Sequence, residues 1–195
     1  MGGQPAKSVC VFCGSSDAAR PAYLEAATAL GQALAAAKLK LVYGGGGVGL
    51  MGACARAAHA AGGEVLGIIP DFLIGKERAL ETVEHEVVTS MHQRKQRFFE
   101  ESDGFVILPG GVGTLEEVIE LLSWRRLDLH AKPVVFYNPR NFWKTLFDCF
   151  QMTVDENLTP PDFMQSWRTV ERVEDIIPAL EAMSAPEPSA VVRKA

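Results

Sequence analysis

Residues 104–117 read Gly-Phe-Val-Ile-Leu-Pro-Gly-Gly-Val-Gly-Thr-Leu-Glu-Glu, an apolar run that passes through a glycine turn into a helix with carboxylates at its start. Amides at a helix N-terminus lack partners and carry partial positive charge, and glycines admit close approach, so this turn suits a phosphate. Glu116 and Glu117 would repel that anion unless one of them faces another part of the ligand and acts there. A bland alternative stands beside the catalytic one. Thr114-Leu115-Glu116-Glu117 has the form of a capping box, and acids in a first turn suit the helix dipole.

Met91-His92-Gln93-Arg94-Lys95-Gln96-Arg97 supplies the cations. Helical spacing puts Arg94 and Arg97 on one face, with Lys95 roughly a hundred degrees around, and such a run is often only a solvated helix face. The four histidines form no ligand spacing with a carboxylate or cysteine, so a zinc site is not expected, and no cofactor is called for. There is no Gly-x-Ser-x-Gly elbow or Cys/His pair to nominate a nucleophile.

Two further turns follow apolar runs: Cys13-Gly14-Ser15-Ser16, and Gly44-Gly45-Gly46-Gly47-Val48-Gly49. In an open parallel sheet, ligands bind at the carboxyl ends of the strands, so Gly14, Ser15, Gly45 and Gly46 are candidates to line one pocket with the third turn. Residues 47–52 also match the dinucleotide pattern G-x-G-x-x-G, with Asp71 downstream. The match follows the second apolar run rather than the first and leaves residues 109–117 unexplained, so one phosphate group accounts for more than a dinucleotide does.

The elements that must hold these turns are legible in the hydrophobic pattern. Apolar runs suited to buried strands occupy 8–13, 40–43, 64–69, 104–108 and 133–137. Helical patterns fill 22–37, 49–61, 91–101 and the stretch with Leu115, Val118, Ile119 and Leu122, followed by 142–156 and 174–183. Strands apolar on both faces, alternating with helices, predict a Rossmann-like, doubly wound parallel α/β sheet with helices on both faces. With 195 residues, one catalytic domain over 1–184 is expected, and the Pro-rich stretch 185–195 is expected to be a disordered tail.

Composition narrows the function. A net charge of −5 without a long basic run argues against nucleic-acid binding. Cys10 and Cys13 lie three apart in a strand pattern and so face opposite sides, which reads as buried thiols rather than a redox pair. Reduced cysteines, an N-terminus without an apolar signal core and no apolar run of membrane length predict a cytoplasmic protein that contacts no membrane.

The run Met91-His92-Gln93-Arg94-Lys95, followed by Pro109-Gly110-Gly111-Val112-Gly113-Thr114-Leu115-Glu116-Glu117, resembles the paired signatures of the LONELY GUY (LOG) family. The resemblance extends to Cys13-Gly14-Ser15-Ser16, residues 44–51, Ile69-Pro70, Ser123-Trp124 and His130-x-Lys132-Pro133, and covers roughly residues 8–170. It implies a cytokinin riboside 5′-monophosphate phosphoribohydrolase, which cleaves the N-glycosidic bond to release an adenine-type base and ribose 5-phosphate. By position, it implies Arg94 and Glu117 in catalysis, and Glu77, Lys95, Gly111, Val112, Gly113, Thr114, Leu115, Glu116 and Ser123 around the nucleotide. A homodimer is implied too. Arg125-Arg126 departs from the family's usual small or neutral residues, a change that bears on the dimer surface or the base pocket. A noncatalytic nucleotide or molybdenum-cofactor carrier of similar fold is the competing class; a carrier has no need of the Arg94 and Glu117 pair.

Overall fold

The computed structural model describes residues 6–76 and 78–184; the expected disordered tail lies outside the described residues. Among the described residues seven strands form one sheet: β1 (Ser8–Phe12), β2 (Lys40–Tyr43), β3 (Val65–Pro70), β4 (Glu84–Val88), β5 (Gly104–Ile107), β6 (Val134–Tyr137) and β7 (Arg168–Val170). Their order is β4-β3-β2-β1-β5-β6-β7, and every pair is parallel. The chain winds outward from β1 to β4, crosses back to β5, and winds outward again. Adjacent β1 and β5 therefore mark the point where strand order reverses, the place such sheets bind ligands.

The connecting helices are α1 (Pro21–Ala36), α2 (Gly49–Ala60), α3 (Met91–Glu100), α4 (Val112–Arg126), α5 (Lys144–Asp155) and α6 (Ile176–Ser184). Alternation along β1 divides the core between the two faces. Val9, Val11 and Cys13 pack with α1, α2 and α6, whereas Cys10 and Phe12 pack with Phe98, Val118 and Phe150 of α3, α4 and α5. The opposite-face expectation for Cys10 and Cys13 is met.

Five strands coincide with the apolar runs; β4 and β7 do not. Both are edge strands. Residues 84–88, Glu-His-Glu-Val-Val, bury only Val88, and β7 has three residues, so neither carries the two-faced apolarity expected of an interior strand. The capping box is also corrected. Helix α4 starts earlier, with Gly111 at the N-cap and no side-chain cap, so Thr114 is the third helical residue and is buried. Its side chain packs where a Cβ on Gly110 would stand. A box-like cap sits instead on α3, where the Gln93 amide donates to Ser90 Oγ (3.1 Å) and the Thr89 amide to Gln93 Oε1 (3.0 Å).

Candidate active site

A cavity of about 640 Å³ opens at the β1/β5 reversal. One wall is the turn after β1, with Cys13, Gly14, Ser15, Ser16 and Arg20; opposite stand Pro109 to Thr114, Glu116 and Glu117. The two turns are tied directly, the Gly14 amide donating to Pro109 O (3.1 Å) and Leu108 N to Phe12 O (2.9 Å). Gly111, Val112 and Gly113 are exposed on the cavity, so the first amides of α4 have access to an anion. Tyr23, Leu50, Met51, Leu73 and Phe142 add apolar surface.

Arg94 is not on a solvated face. It is 4% exposed and lines the cavity, with Nε donating to Ile68 O (3.0 Å) and Nη2 to Gly44 O (2.7 Å). Its Cζ lies 5.4 Å from the Phe98 ring centroid. Two strand-end carbonyls thus fix the guanidinium, and a Cβ on Gly44 would collide with Nη2. Glu117, half-buried in the second turn of α4, lines the same cavity. Burial first, and the Glu117 charge after it, push the Cys10 thiol well above its ordinary range; for Cys13, burial leads, followed by Cys54 and Glu117.

The other residues singled out from the sequence divide. Gly14, Ser15, Gly111, Val112, Gly113, Thr114 and Glu116 line the cavity; Lys95, Leu115, Ser123, Gly45 and Gly46 do not. Lys95 pairs with Glu116 Oε1 (2.5 Å) and Glu120 Oε2 (3.0 Å). Burial lowers its pKa, but these two partners raise it by more. Ser123 is exposed further along α4. Gly45 is consumed by packing: its carbonyl accepts from Leu80 N (3.1 Å) and lies 3.1 Å from His85 Nε2, while Gly46 bridges Ala79. Gly47 likewise donates to Arg78 O (2.8 Å), and Asp71 is exposed and does not line the cavity, so the dinucleotide reading of 47–52 gains no support. Glu77 lies outside the described residues. Arg125 and Arg126 line a separate hollow with Asp162 and Ser166 and not the cavity.

Sequence reasoning missed Arg20, Tyr23, Leu73 and Phe142, which reach the cavity from loops and helix starts that carry no motif. It also missed the fastening of the segment after β3: Asp17 accepts from Gly49 N (2.9 Å) and Arg78 Nη2 (2.6 Å). The Gly49 amide, then Arg78, hold the Asp17 carboxyl below its usual range. Among the described residues no group of three or more acidic, histidine or cysteine side chains could hold a metal.

The family model described as possible lysine decarboxylase matches residues 51–180. The probable cytokinin riboside 5′-monophosphate phosphoribohydrolase LOGL9 of Oryza sativa subsp. japonica is 44% identical over 176 residues, 90% of this chain and 78% of that protein. The cytokinin riboside 5′-monophosphate phosphoribohydrolase LOG5 of Arabidopsis thaliana is 43% identical over 177 residues, with the same coverage. The chain belongs to the LOG family. Among solved structures, the LOG fold here resembles the molybdenum cofactor binding protein of Rippkaea orientalis (TM-score 0.66, 23% identity, 90% of this chain and 96% of that one). The molybdenum cofactor carrier protein of Chlamydomonas reinhardtii is similar (TM-score 0.67, 22% identity, the same coverage). At such identity the likeness is one of fold, and the carrier reading gains no support beyond it.

Proposed function

We propose that this LOG protein hydrolyses the N-glycosidic bond of cytokinin riboside 5′-monophosphates and AMP, releasing the free base and ribose 5-phosphate. The observation that carries the reading is the convergence of Arg94 and Glu117 on one cavity with the exposed amides of Gly111–Gly113. Cleavage passes through an oxocarbenium-like state, in which positive charge grows on the ribose as the base departs with the bonding electrons. Glu117 steadies that charge and accepts the proton of the water that attacks C1′. The Gly111–Thr114 amides hold the 5′-phosphate, so binding remote from the reacting bond orients it. Arg94, rigid on its two carbonyls, sets a fixed positive charge in the wall of the cavity that Glu117 also lines. No step calls for a metal or other cofactor.

The test is chromatographic. Incubation with AMP and with isopentenyladenosine monophosphate should release adenine and isopentenyladenine together with ribose 5-phosphate, and adenosine should be a poor substrate. Absence of base release from both nucleotides overturns the reading. It extends to a cytoplasmic homodimer, supported by four free cysteines and by exposed Val112 (85%) and Ile119 (44%) on α4. Light scattering should give twice the monomer mass; the monomer mass would refute the dimer.

A further inference from the structure

We infer that Arg20 is the phosphate's counter-charge, the residue that makes this site select a nucleoside 5′-monophosphate over its nucleoside. The inference rests on the reading above and identifies a binding residue within it. A phosphate monoester brings up to two negative charges into a cavity that already holds Glu116 and Glu117. The helix amides supply only partial charge. Lys95, one candidate cation, lies outside the lining, with its ammonium held between Glu116 and Glu120 and its side chain only 16% exposed. Arg94 is fixed deep at the ends of β2 and β3, with Nε and Nη2 donating to carbonyls.

Arg20 is the other cationic side chain lining the cavity among the described residues. Its backbone is the N-cap of α1, stiffened by Pro21, and its carbonyl accepts from Tyr23 N (2.9 Å). The turn that carries it is braced by Ala19 N donating to Ser16 O (3.2 Å) and by the Gly14 contact to Pro109. Among the described residues Arg20 forms no ion pair, and its exposed guanidinium is free to swing onto an anion seated on the α4 amides. Its planar fork suits phosphate oxygens.

Arg20→Ala and Arg20→Lys, each compared with the unaltered protein on AMP and adenosine, test this. For Arg20→Ala the KM for AMP should rise roughly ten- to hundredfold, as expected for a lost charge-assisted bond, with a smaller change in kcat. The preference for AMP over adenosine should collapse, and Arg20→Lys should recover much of it. A KM within twofold of the unaltered protein, or equal losses on AMP and adenosine, overturns the inference. Calorimetry with ribose 5-phosphate gives a readout without turnover: Arg20→Ala should weaken its binding by the same factor, and unchanged or undetectable binding to the unaltered protein refutes the role. Failure of base release by the unaltered protein would instead strike the proposed reaction, leaving calorimetry to decide on Arg20.

Discussion

Glu117 and Arg94 share a cavity but differ in what their loss should do. Glu117→Gln keeps the shape of the side chain and removes its ability to take the water's proton, so base release should fall by roughly 10²- to 10⁴-fold while AMP binding persists. Near-normal turnover in that variant would end the general-base assignment. Beside the role proposed for it in turnover, Arg94 is structural, because Gly44 O and Ile68 O depend on it as a donor. Arg94→Ala should therefore abolish turnover and also cost about 2–4 kcal/mol of stability, measured as a lower urea midpoint. Arg94→Lys restores charge without the planar fork and should stay inactive. An inactive alanine variant of unchanged stability would mean that the two carbonyl bonds contribute little to the fold.

At the scale of elements, the turn after β2 and the segment after β3 act as one unit. Gly45, Gly46 and Gly47 hold residues 78–80, and Asp17 clamps Gly49 and Arg78 from the β1 side. Gly49 has φ +57°, and a Cβ there would stand 2.5 Å from Ser15 C, so a glycine is required for α2 to start beside the β1 turn. Because the Asp17 carboxyl titrates below its ordinary value, its contribution is complete above about pH 4 and fades as pH falls through the lower folded value. Asp17→Asn should reproduce the acid-loosened state at neutral pH. Hydrogen exchange at Gly49 and residues 78–80 should then speed up relative to the sheet; exchange indistinguishable from that of the unaltered protein would show the clamp to be idle.

For the molecule as a whole, the doubly wound sheet buries Cys10, Cys13 and Cys54, while Cys149 alone of the four is exposed. Burial pushes Cys54 up to about 12 and the other two well above their usual range, so thiolate is scarce at neutral pH. Native protein should take up one equivalent of an alkylating reagent, at Cys149, and four after unfolding; rapid labelling of Cys13 would contradict its burial. Among the described residues no helix is long and apolar enough to cross a membrane. Much of this architecture was legible in the chain. Interior strands declare themselves because both faces are buried, and the turns declare themselves because close backbone approach demands small residues. The pairing of Arg94 with Glu117 was legible only through a resemblance of motifs. Spacing alone read one as a wet helix face and left the other divided between cap and catalyst. Edge strands β4 and β7 escaped because a strand with one neighbour need not be apolar. What tertiary structure alone decided is which cations line the cavity. Return of the chain from β4 to β5 buries Arg94 under two strand ends, turns Lys95 toward the α4 carboxylates, and brings Arg20, far from the motif cations in sequence and marked by no local signal, into the wall of the same cavity. Contacts of that kind depend on which strands become neighbours, a choice made by packing of the whole sheet and not by any local run of residues.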